Sequence, residues 1–131
     1  MLEFERVLPA VPDSIPVARH LVDSLRGTID DAVLEDLRLL VSEIVTNSIR
    51  HGPGSQVVDL RVSVDEARVR VEVEDRGRGF DPRPRETISG DAGWGLVLVD
   101  RLADRWGVEV GATTIVWFEI DRRGPRPVVS A

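Results

Sequence analysis

The chain has no cysteine and no lysine, and no apolar run in it approaches the ~20 residues that a membrane-spanning helix needs. Without cysteine there is neither a disulfide nor a thiolate metal site. Without lysine there is no amine for a Schiff base and no lysine clamp for phosphate, so a cationic partner for phosphate has to be arginine. All 17 basic residues are arginine, which we read as codon bias in a GC-rich genome. Positive charge is also in short supply: the net charge of -6 argues against nonspecific nucleic-acid binding. The opening Met1-Leu2-Glu3-Phe4-Glu5-Arg6 places acids before its one base and leads into no long apolar stretch, unlike a signal peptide. These absences lead us to expect a soluble cytoplasmic protein that contacts neither membrane nor nucleic acid. At 131 residues and 42% hydrophobic, the chain is long enough to bury one core by itself.

Apolar spacing supplies the elements. Residues 2–8 alternate weakly, as an edge strand does. Pro9, Pro12 and Pro16 are expected to keep the next stretch from being helical, with Asp13 or Ser14 capping the first helix. Ile15, Val17, Ala18, Leu21, Val22 and Leu25 then recur at helical spacing up to Gly27. Asp30 and Asp31 open a longer helix with a stripe of Val33, Leu34, Leu37, Leu40, Val41, Ile44, Val45 and Ile49, which stops at His51-Gly52-Pro53-Gly54. Val58, Leu60, Val62 and Val64, then Val69, Val71 and Val73, alternate with polar residues around an Asp65-Glu66-Ala67 turn. Residues 76–92 carry arginine, glycine and proline without a period, which in a compact domain marks a functional loop. A helix is expected from about Gly93 to Arg105, with Leu96, Val97, Val99, Leu102 and Ala103 inward, then strands over 107–111 and 113–120. Trp106 and Trp117 read as core. The expected class is α+β: a two-layer sandwich of a mixed, mostly antiparallel sheet with helices on one face. Residues 1–121 form the domain and 122–131, rich in arginine and proline, a disordered tail with Arg122, Arg123 and Arg126 in solvent.

Three clusters carry chemistry. Glu43 and Asn47 are four apart, so they share a helix face at the margin of the apolar stripe. Such a pair fits a solvated helix edge. It also fits a cleft in which a carboxylate polarises a hydroxyl and an amide oxygen ligates Mg²⁺, which favours hard oxygen donors. Asp75 closes a valine-rich strand and leads into Gly77 and Gly79, where Asp-x-Gly is either a plain turn or a place for close backbone approach to a ligand. A carboxylate there can accept the exocyclic amine of adenine, whereas guanine would present a carbonyl. Gly93-Trp94-Gly95-Leu96 opens a helix, whose free amides suit phosphate. Neither the dinucleotide fingerprint nor a lysine-bearing phosphate loop is present. His51 reads as a helix-end cap and His20 as a surface or packing residue. Trp94 is exposed by context and suited to report nucleotide binding.

In this order, the three clusters resemble those of the GHKL ATPases, and most closely the small stand-alone serine/threonine kinases that act as anti-sigma factors. The resemblance runs over about residues 2–120, and is densest at Leu40–Gly52, Val73–Asp81, Gly93–Gly107 and Val116–Ile120. It implies ATP and Mg²⁺ as cofactors, with Glu43 as general base and Asn47 holding Mg²⁺ against the phosphates. It implies that Asp75 reads adenine, that Gly77 and Gly79 let the lid approach the base, and that Gly93, Trp94, Gly95 and Leu96 face the phosphates under a lid of residues 82–92. The implied partners are a sigma factor and an anti-sigma-factor antagonist protein, and a homodimer is compatible with the subfamily. Two departures bear on the activity. Family members end the site with glycine and threonine just before the final Val-Trp, where this chain has Thr113-Thr114-Ile115, so strict register puts Ile115 in the threonine's place and Thr113 or Thr114 would have to serve. Thr114 is the candidate. The lid arginine of the sporulation-type kinases is replaced by Gly90-Asp91-Ala92, which leaves Arg83 or Arg85 to supply positive charge over a transferred phosphoryl group. The expected function is an ATP-binding regulatory kinase, the alternative a catalytically weak ATP-binding module that sequesters a partner.

Overall fold

A computed structural model describes residues 1–51, 57–75 and 97–122. The described elements run β1 (Leu2–Pro9), α1 (Ser14–Asp23), α2 (Asp31–His51), β2 (Val57–Val64), β3 (Arg68–Asp75), a helical segment α3 over residues 97–102, β4 (Arg105–Val110) and β5 (Thr114–Asp121). The five strands lie in the order β1-β2-β3-β5-β4, and every described pairing is antiparallel, so the expected mixed sheet is wholly antiparallel among these residues. Helix α2 packs on α1 on one side and on β2, β3 and β5 on the other. This is the expected two-layer α+β sandwich.

Local chemistry explains where the elements depart from expectation. Pro16 lies inside the first turn of α1, where its missing N–H would have had no partner in the helix. Asp13 stands at the cap position but its side chain makes no capping bond; the Ser14 hydroxyl instead donates to the Pro9 carbonyl at 2.6 Å, tying the helix start to the end of β1. Gly27, at φ +90°, takes the left-handed turn between α1 and α2. Asp65 closes the β2–β3 hairpin as an Asx turn, its Oδ1 accepting the Ala67 and Arg68 amides at 2.7 and 2.8 Å. The third helix ends earlier than expected, because strand β4 already begins at Arg105 and pairs it with Glu119. Arg122, expected in the tail, donates its amide to Ala67 and its guanidinium to the carbonyls of Asp65 and Thr28.

The core lies between the helices and the inner sheet face. Leu34, Leu37, Leu40, Val41, Ile44 and Val45 of α2 meet Val58, Leu60, Val62, Val69, Val71, Val73 and Phe118. Ala18, Val22 and Leu25 close it from α1, and Val99 from α3. Val97, expected inward, is exposed, as is Val17 of the α1 apolar repeat. Trp106 packs against the core with its indole N–H on Asp100 at 2.9 Å. Trp117 does not: the register sets it opposite Glu72 on the outer face, under the Arg70 guanidinium, so its assignment to the core is corrected. Among the described residues no helix is long and apolar enough to cross a membrane.

Candidate functional site

The site is built where the inner-face row of β3 runs out of valines. Alternation turns Val69, Val71, Val73 and then Asp75 toward the helices, so the strand ends its buried row on a carboxylate that is 6% exposed. Directly opposite it in the register stands Thr114, also 6% exposed, the first residue of β5. Among the described residues, the Thr114 Oγ1 is buried without a hydrogen-bond partner. An unsatisfied buried hydroxyl costs ~1–3 kcal/mol, which a ligand offering a hydrogen bond would recover. Ile115 faces the other way, opposite Glu74. The threonine in register with Asp75 is therefore Thr114.

Glu43 and Asn47 sit one turn apart on α2, both half-buried, beside the fully buried Ile44 and Val45. Between them the Thr46 hydroxyl donates back to the Ser42 carbonyl at 2.6 Å, a bond that leaves the α-helix unbroken. Helix α2, which carries the acid and the amide, packs on β3 and β5, whose paired end residues are Asp75 and Thr114. Gly77, Gly79, Gly93, Trp94, Gly95, Leu96, the lid of residues 82–92 with Asp91, and Arg83 and Arg85 lie outside the described residues. His51 ends α2, and its side chain is also outside them. His20 is exposed on α1, in keeping with a surface role.

Behind the site, the outer sheet face holds an arginine–carboxylate lattice. Arg61 of β2 binds Glu72 at 2.9 Å, Asp59 at 3.2 Å and, still closer, Glu74. Burial works against its charge, but the bonds to Glu74 and Glu72 outweigh this and hold the guanidinium protonated. The second Glu74 oxygen, Oε2, accepts the Thr113 hydroxyl at 2.7 Å. Farther along, Arg70 binds Glu72 and Glu119 at 3.0 and 2.9 Å and lies 4.4 Å from the Trp117 ring centre, a cation–π distance. Arg105 binds Glu119 at 2.7 Å and also Asp121. Sequence reasoning passed over this lattice. Its signal was the run of alternating arginines and acids at outward positions, whose pairing depends on a register that one strand alone does not specify.

Comparison with known proteins agrees with this fold. Residues 8–120 match the family described as the histidine kinase-like ATPase domain. Among curated proteins, a serine-protein kinase RsbW of Listeria monocytogenes is 30% identical over 114 residues, spanning 74% of this chain and 73% of that protein. A serine-protein kinase RsbW of Bacillus velezensis is 30% identical over 124 residues, spanning 80% and 76%. Among solved structures, the RsbU and RsbW domains of a Mycobacterium tuberculosis protein superpose with a TM-score of 0.72 at 19% identity, covering 93% of this chain and 33% of that one. A blue-light activated histidine kinase of Erythrobacter litoralis gives 0.54 at 24% identity, over 88% of this chain and 46% of that one. With an antiparallel sheet, helices on one side and a carboxylate ending the buried row of its central strand, the chain belongs to the histidine kinase-like ATPase domain family.

Proposed function

We propose that this protein binds ATP with Mg²⁺ and acts as a regulatory serine/threonine protein kinase of the anti-sigma type. The observation that carries the reading is the pair formed by Asp75 and Thr114: two buried polar side chains in register, one a carboxylate and the other a hydroxyl without a partner among the described residues. Adenine offers an exocyclic amine to the carboxylate and ring nitrogens to the hydroxyl. Guanine meets the carboxylate with a carbonyl oxygen and is disfavoured. The names of the RsbW relatives support protein serine as the acceptor. Their similarity also supports a sigma factor and an antagonist protein as partners in a cytoplasmic switch, with a homodimer as a further element of the proposal.

The donors suit a hydrated cation better than a protein-caged one. Among the described residues, no three histidines, cysteines, aspartates or glutamates gather as a metal cage. A single amide oxygen, Asn47, fits Mg²⁺ that keeps its waters and binds chiefly through phosphate oxygens. The ion would neutralise phosphate charge there. In the kinase reading, Glu43 accepts the proton of a serine or threonine hydroxyl as that oxygen bonds to the γ-phosphorus and ADP departs. Gly77, Gly79, Gly93, Trp94, Gly95 and Leu96 complete the proposed nucleotide site.

Calorimetric titration tests the binding half. Wild type is expected to bind Mg-ATP and to discriminate against GTP, and Asp75→Ala to lose both affinity and discrimination. For the kinase half, wild type with Mg-ATP is expected to phosphorylate an antagonist-type protein, and Glu43→Gln to bind ATP without doing so. Binding without turnover in either protein would favour action by sequestering the partner.

A further inference from the structure

The nucleotide-facing pair has a counterpart on the opposite side of the sheet. We propose that Glu74 and Thr113, anchored by Arg61, form a clamp on the outer face that positions Asp75 and Thr114 on the inner face. The proposal rests on reading Asp75 and Thr114 as the pair that meets the base.

Strand alternation couples the two faces. Glu74 immediately precedes Asp75, and Thr113 immediately precedes Thr114, so each clamp residue shares a peptide unit with the residue it positions. Asp75 and Thr114 form the last pair of the β3–β5 ladder at this end of the sheet. A terminal pair opens more readily than an interior one. The Thr113 hydroxyl reaches back across this end to Glu74 Oε2 at 2.7 Å. The carboxylate is not free to wander, because its other oxygen is bound by Arg61, which β2 carries and Glu72 and Asp59 also hold. The turn before β5 is fixed as well, with the Gly111 amide donating to the Thr113 carbonyl at 2.9 Å. A hydroxyl-to-carboxylate bond on a half-buried, charge-paired acceptor is among the stronger single hydrogen bonds.

The clamp also selects register. A slip of β5 by one residue would turn Ile115 inward and Thr114 outward. The Glu74–Thr113 bond joins outward residues that meet diagonally only in the observed register, since Glu74 faces Ile115. Glu74 and Thr113 are therefore positioning residues for base recognition, and touch no ligand themselves.

The test uses Thr113→Val, Thr113→Ser and, as a control at the other end of the sheet, Arg105→Ala. Thr113→Val is expected to weaken ATP and ADP by the same factor, about fivefold, as for one lost hydrogen bond. Thr113→Ser restores affinity, and in an Asp75→Ala background Thr113→Val adds no further loss. Arg105→Ala lowers the urea midpoint and leaves affinity unchanged. Amide exchange of the nucleotide-free chain reads the clamp separately: Thr113→Val speeds exchange at Asp75 and Thr114, whereas Arg105→Ala does not. Unaltered exchange there, wild-type affinity in Thr113→Val, or full additivity with Asp75→Ala overturns the proposal. If wild type binds no ATP while Thr113→Val still frees those amides, the clamp stands as a sheet device and the reading of the base site falls.

Discussion

At the scale of single residues, Thr114 lets stability and the proposed base recognition be tested apart. Its buried hydroxyl lacks a partner among the described residues, so Thr114→Val removes a desolvated polar atom at nearly constant volume. The variant is expected to match wild type in stability or exceed it by ~1 kcal/mol. Nucleotide affinity should fall in the same variant. Urea denaturation and calorimetry on one preparation check both, and a loss of stability with unchanged affinity would assign Thr114 to the fold alone. Asp75 was legible in the sequence because an acid ending a valine strand and followed by glycine is a local pattern. Thr114 was only half legible. The choice among Thr113, Thr114 and Ile115 depends on which residue stands opposite Asp75, and that is a property of two strands separated by nearly forty residues.

Among the elements, β4 and β5 show how a glycine sets a packing contact. Gly107 lies opposite Trp117, and a Cβ placed on it would come within 2.8 Å of the indole Nε1. Gly107→Ala therefore forces the ring aside and disturbs its stacking on Arg70, at a cost of ~1–3 kcal/mol. A shifted tryptophan emission together with a lower denaturation midpoint is the expected result; an unshifted spectrum would mean that the ring keeps its place and the backbone yields instead. The long helix and the β2–β3 hairpin were easy to read, since their apolar periods of 3.6 and 2 are strong and their ends carry Asp, Gly or an Asx turn. The third helix and the place of Trp117 were not. A segment such as Leu102-Ala103-Asp104-Arg105-Trp106 suits either period, and strand pairing with Glu119 decides the outcome. Pro16 misled for a related reason: proline breaks a helix interior but is accepted in its first turn.

For the molecule as a whole, the outer lattice ties stability to pH. The hydrogen bond from Arg105, then that from Arg70, lowers the Glu119 carboxyl below its ordinary 4.5 despite its burial. The amides of Arg68 and Ala67 likewise lower Asp65 below 3.8. A carboxyl depressed by folding contributes stability that is complete above its unfolded value and lost as pH falls through the folded one. The urea midpoint should thus hold steady at neutral pH and decline below about pH 4.5, as Glu119 and Asp65 take up protons. In Glu119→Gln the midpoint at neutral pH is lower and the acid decline shallower; parallel pH profiles would place the sensitivity elsewhere. The strand order β1-β2-β3-β5-β4 has a consequence in time. A nascent chain that has emerged only as far as residue 113 can form the three-stranded sheet β1–β2–β3, but β3 keeps one flank open until β5 slides in between it and β4. Asp75 gains Thr114 as its neighbour only at that last insertion, so the wall proposed to meet the base is completed late in synthesis.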